Sequence, residues 1–140
     1  MSVRVFVYGT LKPDEVDRVT FSDFPRSCFS LLVQSQPAIA YGNLYDLPLG
    51  YPAMVLGNAS VHGFLLTFSN AKVLDLLDEY ESEEYDRTWL EIFDSSQESL
   101  GFAWSYVMSP EQVDRAQGVL IPNGIWTSKN RPQSQTTDDS

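Results

Sequence analysis

Two short stretches of the chain combine residue types that could do chemistry. The first is the turn YGTLK at residues 8–12, where an apolar run breaks off in Tyr8, Gly9, Thr10 and Leu11. Gly9 allows the backbone to come close to a ligand or to take φ > 0, and the N–H groups of such a turn can form a concave anion site. It is not a phosphate-binding P-loop, because the second glycine and the Lys-Ser/Thr pair are missing. On local chemistry alone, a strand-ending turn with a packed Tyr8 is the simpler reading. The second stretch is the acidic LDEYESEEYDR at residues 77–87. Most of its carboxylates fit a solvated helix face. Glu81 differs, because it falls four residues after Leu77 and beside the apolar stripe of Val73, Leu77 and Tyr80. It can therefore turn inward where Asp78 and Glu79 cannot easily do so. Partial burial, the C-terminal end of a helix and the like charges of Glu83 and Glu84 would all push its carboxyl upward, as a base working near neutral pH requires.

Other reactive side chains carry weaker signals. His62 sits inside the apolar run SVHGFLLTF with no motif around it and reads as structural, and the single cysteine, Cys28, reads as a small packed residue. Trp89, Trp104 and Tyr106 read mostly as core, with the Tyr106 hydroxyl needing a partner if buried.

The elements that must position these residues follow from periodicity. Val3, Val5 and Val7 alternate with Arg4, Phe6 and Tyr8, which predicts a central strand at residues 2–8. Asp14 can cap a short helix through Val19, and residues 27–34 can form a strand. AIAYGNLYD, residues 38–46, reads as a strand bent at Gly42, followed by the loop PLGYPA, and residues 60–68 read as the next strand with both faces partly buried. In SNAKVLDLLDEYE the period changes to that of an amphipathic helix with Ser69 or Asn70 as N-cap. Strands resume at residues 87–93 and 101–108, joined by the polar loop DSSQES. Ser109, Pro110 and Gln112 then form a capping-box signature for a short helix ending near Gly118. Several short strands, two or three short helices and no βαβ alternation predict a mixed α+β domain with a curled, barrel-like sheet, at residues 1–127. The tail at residues 128–140 has almost nothing to bury and is expected to be disordered.

Composition narrows the possible functions. With 140 residues, 43% of them apolar, the chain supports one domain with one core. One cysteine and one histidine leave no disulfide framework and no Cys/His zinc cluster. With 19 acidic residues against 9 basic ones, the formal net charge of −10 disfavours nucleic acid and anionic membranes as partners. No apolar run reaches the roughly 18 residues of a membrane span and no signal peptide is evident, so a cytoplasmic, soluble protein is expected. A small substrate with one carboxylate remains compatible with this charge, because nearby backbone N–H groups outweigh a diffuse distant field in salt.

VFVYGTLK at the N-terminus, LDEYES at the end of the predicted helix, Tyr85-Asp86-Arg87 and a strand containing AWSYV together resemble the γ-glutamylcyclotransferase superfamily, in its AIG2-like and γ-glutamylaminecyclotransferase branch. The likeness extends over residues 2 to about 118. The resemblance implies a barrel-like α+β fold with one pocket and a small γ-glutamyl substrate. It also implies that Tyr8, Gly9, Thr10 and Leu11 hold the γ-glutamyl moiety, that Glu81 is the catalytic acid/base, and that Tyr106 lines the same pocket. The implied reaction is intramolecular attack of the α-amine on the γ-carbonyl, releasing 5-oxoproline and an amine with no metal or organic cofactor. Relatives continue YGTLK with a glycine and then an asparagine, whereas this chain has Pro13-Asp14-Glu15-Val16-Asp17, which alters the adjacent wall and bears on the leaving group. The acidic surroundings would tolerate a cationic leaving group better than an anionic one.

Two other functions fit the same residues: a non-catalytic module that holds a small acid in this pocket, and a partner-binding protein working through Glu83, Glu84 and Asp86. Neither the amine half of a substrate nor the oligomeric state is set by the sequence.

Overall fold

The computed structural model describes residues 2–9, 31–48, 50–81 and 84–127. The helix expected at 14–19, Cys28 and the tail at 128–140 lie outside these residues. The described elements run β1 (Val3–Val7), β2 (Leu32–Asp46), β3 (Pro52–Phe68), α1 (Val73–Glu81), β4 (Asp86–Phe93), β5 (Ser99–Val107), α2 (Pro110–Arg115) and β6 (Val119–Leu120). Among the described residues the six strands form one sheet in the order β3-β1-β5-β4-β2-β6, and a further pairing of β3 with β2 curls it into a partial ring. This is the mixed α+β, barrel-like architecture expected from the pattern of elements.

β1 lies between β3, to which it is antiparallel, and β5, to which it is parallel. Its two faces serve different cores, which explains why both are apolar. Phe6, and Tyr8 just beyond the strand, pack inside the ring with Ala40, Leu44, Met54 and Trp126. Val5 and Val7 pack on the outside with Leu66, Phe68, Val73 and Leu77, beneath α1.

β2 and β3 are longer than local sequence suggests. β2 runs unbroken from Leu32 to Asp46, joining the described end of the strand expected at 27–34 to the one expected at 38–46, and β3 begins at Pro52 rather than Ser60. The cause is the tight connection between them. Leu47 N–H bonds to Tyr51 O at 3.0 Å, and Gly50, at φ 110°, takes a backbone conformation that disfavours side chains. That turn sets the pairing Asp46↔Pro52, from which the ladder extends through residues of modest β-propensity to Leu32↔Phe68. The bend expected at Gly42 is present as a register shift between Tyr41 and Gly42.

Helix α1 has nine residues, too few for stability on its own. Asn70 organises its start, accepting Lys72 N–H on its side chain at 2.8 Å and Val73 N–H on its carbonyl at 3.2 Å. Burial of Val73 and Leu77 then holds it to the sheet, contributing about 1.5–3 kcal/mol per side chain. Ser109 caps α2 as its sequence predicts, with Gln112 N–H donating to Ser109 Oγ at 3.2 Å. The expectation that Trp89 belongs to the core is corrected. It is 53% exposed, packed on the outer surface against Trp104 and Phe102, because it lies on β4 outside the cluster that α1 covers. His62 is exposed on β3, and its backbone N–H bonds to Gly124 O at 2.8 Å.

Candidate active site

The end of β1 is where three strands are tied together. The buried Tyr8 hydroxyl donates to the Tyr106 carbonyl of β5 at 2.5 Å and accepts from the Met54 N–H of β3 at 3.1 Å. Burial raises its pKa, the Glu81 charge adds to the rise, and the Met54 N–H offsets part of it. The tyrosine therefore ends the strand as a cross-strand tie and not merely as a packed ring. Gly9 follows because there is no room for a side chain: a Cβ there would meet Pro52 Cγ at 2.6 Å. Pro52 is held in turn, its carbonyl accepting from the Tyr85 hydroxyl at 2.7 Å. Thr10 and Leu11 lie outside the described residues.

Glu81 is the last residue of α1 and is partly buried. Burial pushes its carboxyl from the ordinary 4.5 up to about 7. Among the described residues no hydrogen bond or ion pair reaches that carboxyl, so no described partner offsets the loss of water. Its charge raises the pKa of Tyr8, Tyr51, Tyr85 and Tyr106, in each case as a smaller influence than burial. Glu81 and the end of β1 thus belong to one corner of the molecule. Of the two neighbouring carboxylates expected to act on Glu81, the described one, Glu84, is not among the causes of the rise. Glu84 accepts from the Tyr51 hydroxyl at 3.2 Å, Glu83 lies outside the described residues, and burial is the cause of the rise.

Asp78 corrects a second expectation. One turn before Glu81, it does not simply face solvent. It accepts from the Tyr106 hydroxyl at 2.6 Å, and Arg87 Nε lies 3.6 Å from the same oxygen. Arg87 is itself seated over the Trp104 ring, 4.9 Å from its centroid. Asp78 follows Leu74 by one helical turn at the margin of the buried stripe, where a short side chain reaches β5 while remaining 43% exposed. The structure therefore brings together Tyr8, Gly9, Glu81 and Tyr106 of the residues singled out from sequence. It adds Asp78, Tyr51, Tyr85, Pro52 and Arg87. The i, i+2 spacing of Tyr85 and Arg87, which puts both on one face of an extended segment, was the signal that could have placed them in the site.

A cavity of about 270 Å³ shares Glu84 with this corner and is also lined by Leu47, Met108, Gln112, Arg115 and Ala116. Among the described residues no group of three His, Cys, Asp or Glu side chains is arranged to hold a metal, and no helix is long and apolar enough to cross a membrane.

Comparison with protein families decides the relationship, since residues 5–128 match the model described as gamma-glutamyl cyclotransferase, AIG2-like. The chain belongs to that family. Solved structures agree in fold. An AIG2-like protein from Mus musculus superposes with a TM-score of 0.66 at 17% identity, over 95% of this chain and 92% of that one. A protein from Arabidopsis thaliana gives 0.62 at 24% identity, over 85% and 69%. A structure described as gamma-glutamyl cyclotransferase gives 0.53 at 16% identity, over 78% and 68%. No curated protein matches the chain significantly. In this AIG2-like chain, the strand-end tie through Tyr8 and the helix-end carboxyl of Glu81 are therefore features of a domain whose family is named for γ-glutamyl cyclisation.

Proposed function

We propose that the protein converts a γ-glutamyl compound into 5-oxoproline and a free amine, with Glu81 as general acid/base. The observation that carries this reading is the Glu81 carboxyl, partly buried, raised to about 7 and facing the same corner as Tyr8 at the end of β1. A carboxyl in that range is largely ionised just above neutral pH and can still return a proton, which suits a group that works in both directions.

Glu81 as carboxylate takes a proton from the substrate's α-ammonium. The freed amine attacks the γ-carbonyl of the same molecule, forming the C–N bond of a five-membered ring and a tetrahedral oxyanion. Collapse breaks the original γ-amide bond as the proton held by Glu81 passes to the departing nitrogen, and the ring nitrogen loses its second proton, through the regenerated carboxylate, to the released amine or to solvent. Ring closure within one molecule benefits from proximity, so the enzyme has to fold the substrate, support the oxyanion and move protons from the attacking to the departing nitrogen. Tyr8, Gly9, Thr10 and Leu11 form the wall that holds the γ-glutamyl moiety. Because the Tyr8 hydroxyl is engaged by Tyr106 and Met54, Tyr8 contributes its ring and backbone, and the oxyanion donors are backbone N–H groups from Gly9 onward. Tyr106 lines the same site. The chemistry requires neither metal nor organic cofactor.

The test is a panel of γ-glutamyl amino acids, amines and isopeptides scored for 5-oxoproline by mass spectrometry, with Glu81→Gln alongside. Release by the wild type and its loss in the variant are expected. Calorimetric binding without product across the panel would instead identify a binding module, and unchanged release by the variant would remove Glu81 from the mechanism.

A further inference from the structure

The four tyrosines that feel the Glu81 charge share an unusual property: each hydroxyl proton is already engaged elsewhere. Tyr8 donates to the Tyr106 carbonyl, Tyr85 to the Pro52 carbonyl, Tyr51 to Glu84 and Tyr106 to Asp78. Carbonyl and carboxylate oxygens accept and do not donate, so in each pair the direction is fixed. What these hydroxyls can still offer is lone pairs. A site whose side chains present a carboxylate and phenolic lone pairs is built for a donor with several N–H groups, and an anion finds no side-chain donor among these tyrosines.

Tyr8 and Tyr85 donate to backbone carbonyls, which the fold fixes, whereas Tyr106 donates to the side chain of Asp78, a half-exposed carboxylate. Asp78 is supplied by α1 one turn ahead of Glu81 and is itself held by Arg87, which rests on Trp104. Taking Asp78 away would let the Tyr106 proton rotate toward Glu81, the other negative group among the described residues that acts on that hydroxyl.

We propose that Asp78 is a positioning residue that fixes the polarity of the Tyr106 hydroxyl, so that Tyr106, like Tyr85 on the Pro52 carbonyl, acts as a hydrogen-bond acceptor for a substrate ammonium group beside Glu81. This rests on the cyclotransferase reading for the identity of the ammonium, the α-amine of a γ-glutamyl compound, but its geometry is independent of turnover. Among the described residues, the titratable groups that feel the Glu81 charge are Tyr8 from the end of β1, Tyr51 before β3, Tyr85 before β4 and Tyr106 from β5, with Glu84 acting on Tyr51 and Tyr85, Asp78 on the same helix as Glu81, and Arg87 beside Asp78.

The experiment uses the full chain labelled with carboxyl-13C glutamate, the Glu81 resonance being assigned by its loss in Glu81→Gln. Asp78→Ala frees the Tyr106 proton, and the Glu81 titration is expected to move down by about one pH unit as it gains a donor. KM for γ-glutamyl compounds should rise about tenfold, with a smaller change in kcat, as an ammonium acceptor is lost. Asp78→Asn keeps an acceptor oxygen and should stay near the wild type in both readouts. In a Tyr106→Phe background, Asp78→Ala should produce no further movement of the titration. Two results would overturn the proposal: an unmoved Glu81 titration in folded Asp78→Ala, or the same movement in the Tyr106→Phe background, which would make Asp78 a direct charge effect. If Asp78→Ala fails to fold, Asp78→Leu, which also removes the acceptor oxygen but keeps side-chain bulk and helix propensity, is read in the same way, and an unmoved titration there refutes it equally. If the wild type turns over no γ-glutamyl compound, the function proposed above fails while the titration still decides the role of Asp78.

Discussion

Glu81 should make the protein less stable at the pH where it is useful. Its carboxyl rises from 4.5 to about 7 because the fold removes water from it and supplies no described partner. A group whose pKa is higher in the folded state binds its proton more tightly there. Its contribution to stability is therefore complete below pH 4.5, declines as pH rises, and is gone above about 7. At about 1.4 kcal/mol per pH unit, that span corresponds to about 3 kcal/mol, and the remaining exposure of the side chain brings the expected figure to about 2–3 kcal/mol. Glu81→Gln keeps the shape and cannot ionise. Urea unfolding of wild type and variant should give equal stabilities at pH 4.5, with the variant more stable by about 2–3 kcal/mol at pH 8. The difference between the two proteins cancels the titration of every other group, so the curve against pH isolates this carboxyl. A variant no more stable at pH 8 than at pH 4.5, relative to wild type, would mean that Glu81 is not desolvated, and the argument for a base tuned by burial would fail.

The same carboxyl sets the expected pH profile of turnover: kcat/KM should climb about tenfold per pH unit on the acid side and level off above about 7, and a flat profile from pH 5 to 8 would exclude Glu81 as the base. Glu81→Gln should cut 5-oxoproline release by about two to four orders of magnitude at pH 8, measured beside its stability gain so that unfolding cannot account for the loss. Tyr8→Phe leaves the Tyr106 carbonyl and the Met54 N–H without their partner in a buried place; it should cost about 2–4 kcal/mol in denaturant unfolding, and a loss under 0.5 kcal/mol would show that the tie is not structural. Gly9→Ala drives a Cβ against the Pro52 ring, which should lower stability by about 1–3 kcal/mol and displace the Tyr85 hydroxyl, visible as a change in tyrosine near-ultraviolet circular dichroism. Trp89→Ser, on the open outer face, should leave turnover within about twofold of wild type.

Several features were legible in residue order because they are local. The valine alternation of β1, the apolar stripe of α1 and the Ser109 cap each depend on neighbours within a few positions. The inward turn of Glu81 could be read from its distance to Leu77 on the helical wheel. Strand lengths were less legible. Residues 35–37 and 52–56 were not legible as strand, and they extend because each pairs with the other strand of a hairpin whose register is set at Gly50.

What residue order determined by itself, then, is which segments are strand or helix, the acidic character of the surface, and which carboxyl is placed to leave water. Tertiary structure alone decided what the tyrosines do. Tyr8 meets the Tyr106 carbonyl across 98 positions, Tyr85 meets Pro52 across 33, and Tyr106 meets Asp78 across 28. Hydrogen bonds of that separation leave no periodic trace, since a hydroxyl's direction depends on which acceptor the packed sheet and helix bring within about 3 Å.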